Sequence, residues 1–310
     1  MLFNRDDNGS VELQQITGFA YASNDFSTMV PEILEATRTV AGLVGDAVVE
    51  AAEQAYQYSA EDTDGLVWAV QQAVAVLAVS RFSKGNLVSH QDSGSKVIGD
   101  ENAKLPWEWM IDRDEQAQRE RWFRSMDALY GLLEKTQNES WMESDIRKAY
   151  KASIIRSLQE FERVYPVDGS YYVYYMLQNL VIESQPRIRR MVGTEVWDKM
   201  IGSEPEQLHK ELLPLCQRYA VISALIKAVR RWNLEVFPLT IARRFSPSFQ
   251  GNKATRAALR TEIDAYVSGL EAQLEDIRAE IAEVLAGGNP FTDFDPIPSG
   301  DPRKKFFSAQ

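Results

Sequence analysis

The segment Leu66–Val88, LVWAVQQAVAVLAVSRFSKGNLV, constrains the fold most, because a later stretch repeats its pattern. Leu66, Val70, Ala73, Val74 and Leu77 recur at helical spacing, which predicts a buried helix running through Arg81-Phe82 into Asn86-Leu87-Val88. Leu212–Val236, LLPLCQRYAVISALIKAVRRWNLEV, reads as the same helix ending in Arg231-Trp232-Asn233-Leu234. The flanks agree. Leu43–Glu50 (LVGDAVVE) parallels Met191–Asp198 (MVGTEVWD), and Met126–Tyr130 (MDALY) parallels Ile263–Val267 (IDAYV). The offsets are 193 − 45 = 148, 233 − 86 = 147 and 264 − 127 = 137. Matches that keep their order point to two tandem copies of one unit; two unrelated amphipathic regions are the alternative.

The expected fold is all-α: two tandem helical-bundle units, each with an extended loop or β-ribbon excursion, plus an extended C-terminal arm. Residues 1–30 read as an N-terminal arm with Phe19, Tyr21 and Phe26 as anchors, and 31–136 as the first unit. Residues 137–169 form a connecting helix and turn, 170–285 the second unit, and 286–310 the C-terminal arm. Pro31 suits the first turn of a helix. Gly45 is placed to end that helix in a left-handed conformation, with Asp46 capping the next one; Gly193 and Thr194 repeat the device. Ser140-Trp141-Met142-Glu143 is a capping box for a helix reaching about Arg163. Pro186 and Pro214 are expected to kink or restart their helices.

Gly85–Pro106 reads as the first excursion, an extended loop or two-stranded ribbon around Val88 and Val97. Its counterpart in the second copy, Leu234–Asn252, contains Val236, Phe237, Leu239, Ile241 and Phe245, too apolar to be left in water. It is expected to pack on a neighbour, in the same chain or another. Ile263, Val267, Leu270, Leu274, Ile277, Ile281 and Val284 alternate steps of four and three, a heptad seam for packing inside the chain or for a coiled coil.

A length of 310 residues agrees with about two domains. The single Cys216 excludes an internal disulfide framework and suits a reducing compartment. Met1-Leu2-Phe3-Asn4-Arg5 opens no signal peptide, and the apolar run Leu66–Val79, broken by Gln71-Gln72, reads as too short to span a bilayer. A soluble cytosolic protein is expected. The net charge of −11 argues against binding nucleic acid by broad phosphate neutralisation. It fits a solvated surface, or one that must not grip DNA passing nearby.

No catalytic, cofactor or metal residues are assigned. Glu206-Gln207-Leu208-His209 has the spacing of a di-iron ligand pair, but the chain has no second such motif. His90 near Asp92 and Ser93 is not a triad without geometry, and Cys216 among apolar residues reads as core. No Walker A, G-x-G-x-x-G, G-x-S-x-G or paired-Cys pattern occurs. Gly287-Gly288 stops the seam, and the remainder from Asn289 has Pro290, Pro296, Pro298 and Pro302 without periodicity, yet carries Phe291, Phe294, Ile297, Phe306 and Phe307. Disordered tails are normally poor in aromatics, so either disorder or an arm pinned into a partner's groove is expected. In the second case these residues are the anchors, and Arg303, Lys304 and Lys305 pair with acidic partner groups.

An Ala/Val-rich helix ending in Arg-Phe before an extended loop (Ala73–Asn86), with Met191–Trp197 and the terminal Phe306-Phe307, resembles the head–tail connector, or adaptor, proteins of tailed phages. It is also similar to a larger phage and prophage family of Gly-hinged helix pairs. The resemblance implies a non-enzymatic protein of the virion neck, made in the host cytoplasm. It further implies a homo-oligomeric ring of twelve copies docked on the portal protein and touching other neck or tail proteins. DNA would pass through the acidic lumen during ejection without sequence-specific binding, and no membrane would be involved. Connectors of the family are single, shorter units, so the apparent doubling leaves the ring count and the upper or lower neck position open. A monomeric cytosolic helical scaffold gripping a partner through the Ile263–Val284 seam is the rival reading, and a helical enzyme a further one.

Overall fold

The computed structural model describes residues 1–18, 26–58, 62, 64–85, 88–91, 94–97, 108–202, 207–231 and 260–287. The fold is all-α, with one short pair of strands among the described residues. The first half contains α1 (Gly9–Thr17), α2 (Phe26–Val44), α3 (Asp46–Gln57), α4 (Leu66–Gly85), β1 (Val88–Gln91), β2 (Gly94–Val97) and α5 (Glu108–Thr136). Three short helices follow: α6 (Glu139–Met142), α7 (Asp145–Lys151) and α8 (Leu158–Glu162). The second half contains α9 (Tyr171–Val192), α10 (Thr194–Ile201), α11 (Gln207–Arg231) and α12 (Arg260–Leu285).

Helix α4 is packed by α1, α2, α3 and α5, and Val70, Ala73, Val74, Ala75 and Ala78 are fully buried. A helix enclosed on several sides needs no polar stripe, and its small residues let neighbours approach closely. Its partner in the second half, α11, is packed by α9, α10 and α12. Both are also long and apolar enough to cross a membrane, over Leu66–Ser83 and Leu208–Arg231. The expectation that the first run is too short fails because the helix continues past Val79. In this fold 56% and 67% of those two windows are buried against protein, as in the core helices of a globular domain.

The two halves share element order, helix contacts and burial register. Shifting by 148 carries Met29, Ile33, Ala36, Val40 and Val44 of α2 onto Leu177, Val181, Ser184, Ile188 and Val192 of α9, all buried. Shifting by 147 carries Ala73, Val74, Ala78 and Val79 onto Ala220, Val221, Leu225 and Ile226, again all buried. Shifting by 137 carries Tyr130 and Leu133 of α5 onto Val267 and Leu270 of α12. The elbows match as well: Gly45 has φ 96 and ψ 143, Gly193 φ 86 and ψ 150. This is an extended conformation at positive φ, not the left-handed helical one expected, and L-residues are strained there. Asp46 correspondingly lies inside the first turn of α3, after a glycine that offers no side-chain cap.

Other local expectations change. Helix α2 begins at Phe26, so Pro31 lies beyond its first turn and removes an interior N–H. Helices α9 and α11 each continue through Pro186 and Pro214, so neither proline restarts its helix. The helix expected from Ser140 to about Arg163 is three pieces, capped by Asn138, Ser144 and Ser157. Each cap accepts from the backbone N–H three residues on, and these local bonds compete with a continuous helix.

The N-terminal residues are held in the core. Leu2 and Phe3 are buried, and Gln71 Nε2 donates to the Leu2 carbonyl at 2.6 Å, which explains a buried glutamine in the apolar α4. Phe19 and Tyr21 lie outside the described residues; Phe26 packs against the core. The seam on α12 faces inward: Val267, Leu270, Leu274, Ile277 and Ile281 are buried, and α11 is the helix α12 packs on.

Replacing either elbow glycine with alanine is expected to destabilise the chain by about 1–3 kcal/mol. Gly45→Ala should cost more, because its Cβ would meet the Ser144 Cβ at 3.3 Å, whereas Gly193 has open space. Gly42→Ala, in a helix interior with nothing within 4 Å, should instead stabilise by about 0.4–1 kcal/mol. Urea midpoints at unchanged slope provide the measurement.

Candidate functional site

The residues expected to meet partners, Phe291, Phe294, Ile297, Arg303, Lys304, Lys305, Phe306 and Phe307, lie outside the described residues, as do Val236, Phe237 and Phe245. Val88 and Val97 face each other in the antiparallel ladder of β1 and β2, at the end distant from the connection. Described surfaces offer two places where polar and aromatic groups converge.

The first is the junction between the halves, where α5 meets α9. Trp122, Phe123 and Tyr130 of α5 surround Tyr172 with ring centroids 5.4–6.4 Å apart, and Tyr175 lies 4.6 Å from Tyr130 and 5.3 Å from Trp141. Within this cluster Glu134 Oε1 accepts from Tyr175 Oη at 2.5 Å, Trp141 Nε1 at 2.8 Å and Arg147 Nε at 2.9 Å. One carboxylate thereby joins α5, α6, α7 and α9. Burial alone would raise the Glu134 pKa; the bonds from Arg147, Tyr175 and Trp141 outweigh it and hold the carboxyl below its usual range. Burial pushes the Tyr130, Tyr172 and Tyr175 hydroxyls well above theirs, and the bond to Glu134 raises Tyr175 further. Such groups keep one protonation state across neutral pH. They suit a structural weld better than proton transfer. Nearby, Asp127 Oδ1 accepts from the Tyr172 N–H at 2.9 Å and Ser170 Oγ at 3.1 Å, so α5 also caps α9.

The sequence motifs pointed elsewhere. Cys216 is fully buried, and burial pushes its thiol up to about 12, the state of an inert core residue. His209 is buried at the start of α11. Among the described residues, no three His, Cys, Asp or Glu gather where they could hold a metal ion. Glu134, Arg147 and Tyr175 lie far apart in sequence, and no motif marks them.

The second place is a cleft of about 500 Å³ between the N-terminal segment and α2. Met1, Val11, Phe26 and Val30 give it apolar walls, and Asp7, Asn8 and Ser10 a polar edge. Its floor is tightly built. A Cβ on Gly9 would fall 2.6 Å from the Phe26 ring, so only glycine fits there. Asn4 Oδ1 accepts from the Gly9 N–H at 2.9 Å, and Glu12 accepts from Tyr56 Oη at 2.7 Å. Val11 is 51% exposed and Leu34, one turn beyond Val30, 43%.

Glu134→Gln is expected to cost about 3 kcal/mol at neutral pH, because Arg147 loses its buried counter-charge. The folded pKa lies below the unfolded one, so the contribution is full above the ordinary glutamate value of about 4.3 and is lost as pH falls through the folded value. The gap between wild type and variant in chemical denaturation should therefore stay constant from neutral pH to that value and narrow below it. Compared with known protein families, curated proteins and solved structures, the chain matches none.

Proposed function

We propose that the chain is a non-enzymatic structural protein of a tailed-phage virion neck, a head–tail connector that docks on the portal and forms part of the DNA conduit. What supports this reading is the all-α fold in which the helices of the second half follow the order of those in the first, with corresponding buried positions, and the two halves meet at a buried polar junction. Two similarly ordered halves would supply two similar faces on one chain, which suits assembly around an axis. The net charge of −11 supports a lumen that passes DNA without adhesion. The Phe- and Lys/Arg-containing segment beyond α12 supplies anchors for the portal or a neighbouring subunit. The proposal places twelve copies in a ring and assigns no cofactor, no catalytic residue and no membrane contact.

The rival reading, a monomeric scaffold, loses the face it depended on. Its seam on α12 is buried against α11, so gripping a partner helix there would require opening the second half.

Co-expression with the portal protein of the same genome should yield a complex with rotational symmetry in electron micrographs. Deleting Pro290–Gln310 should abolish that complex while leaving far-UV helicity unchanged. Absence of any complex for the full chain overturns the neck reading; an unaffected complex after deletion overturns the role of the arm.

A further inference from the structure

Tyr219 of α11 is 1% exposed, and among the described residues its hydroxyl has no hydrogen-bond partner. A phenylalanine would fill the same space without burying an unpaired donor, so packing alone does not account for the hydroxyl. The groups that face it are charged. The Arg187 guanidinium of α9 extends over the Tyr219 ring, its carbon 5.9 Å from the centroid. From α12, Glu275 and Arg278 act on the hydroxyl. Burial raises the Tyr219 pKa; Arg187 pulls it down, Glu275 raises it and Arg278 lowers it. We propose that Tyr219 Oη, Arg187 and Arg278 bind the phosphate group of a ligand where α9 and α12 flank α11.

The charge balance selects an anion. Among the described residues Arg187 forms no ion pair, and neither does Arg190, three residues on and on the same side of the helix. Arg278 reaches Glu275 at 3.4 Å, but the two side chains are 55% and 63% exposed, and an exposed pair of this kind holds weakly. Two guanidiniums and one carboxylate therefore surround Tyr219, a local positive excess in a chain of net charge −11. Guanidinium N–H groups pair well with phosphate oxygens. The oxygens of a phosphate group can each take a donor from a different helix, whereas a carboxylate offers only two. The first half has no such set: 187 − 148 = 39 and 219 − 147 = 72 place Thr39 and Gln72 at the matching positions. Tyr219 lies 12 residues from either end of α11 (219 − 207 and 231 − 219), about 18 Å along the axis. Arg187, Glu275 and Arg278 are themselves exposed, so admitting an anion to the hydroxyl shifts long side chains and no helix. This inference goes beyond the neck reading and does not rest on it.

Calorimetric titration of the full chain with inorganic phosphate and with glycerol phosphate tests it, with acetate as the control. Saturable one-to-one binding of phosphate, and markedly weaker binding of acetate, is expected. Arg187→Gln and Arg278→Gln should each weaken phosphate binding about tenfold. Glu275→Gln should tighten it about threefold, because a competing carboxylate is removed. Tyr219→Phe should weaken binding about fivefold while leaving the urea midpoint unchanged or higher, as expected of a hydroxyl that serves a ligand and not the fold. Sedimentation with phosphatidic acid vesicles, reversed by excess phosphate, assigns the group to a lipid headgroup; no sedimentation assigns it to a soluble ligand. No saturable phosphate binding, equal binding of acetate, or affinities unchanged by both arginine variants overturns the inference. So does a Tyr219→Phe chain that is less stable and binds phosphate as well as the wild type.

Discussion

Two helices with little polar surface, α4 and α11, govern the architecture. Each must be covered on most of its circumference, because apolar surface left in water costs about 25 cal/mol per Å². Coverage arrives from elements close in sequence: α2 and α3 before α4 and α5 after it, then α9 and α10 before α11 and α12 after it. An entering helix must turn sharply into a shorter one to reach two sides of the central helix. Gly45 and Gly193 make that turn in one residue, in a conformation that a side chain would strain. The N-terminal segment completes the enclosure of α4, with Leu2 and Phe3 inside and Gln71 satisfied by a backbone carbonyl.

The halves are then joined by a different kind of interaction. Glu134 is a carboxylate taken mostly out of water, tolerable only because it has Arg147 as counter-charge and two further donors from Tyr175 and Trp141. Removing any one partner leaves another group buried without its match, so the junction behaves as one object. The aromatic rings packed around it shield those bonds from water. In consequence the two halves should move as a unit.

The sequence by itself determined the helical class and the central helices, because apolar spacing is a local record of which side chains face protein. It also marked Gly45 and Gly193, since few other residues permit an abrupt elbow, and Cys216 as core. It misread Ser140–Arg163, where Ser144 and Ser157 divert backbone N–H groups into caps, and it left Leu2 and Phe3 in a loose arm. Periodicity cannot register a buried segment too short to repeat. Only the tertiary structure decided that the seam on α12 is spent on α11 and that Glu134, Arg147 and Tyr175 meet. Those outcomes depend on contacts between residues 13 to 41 positions apart or farther, for which no local pattern carries information.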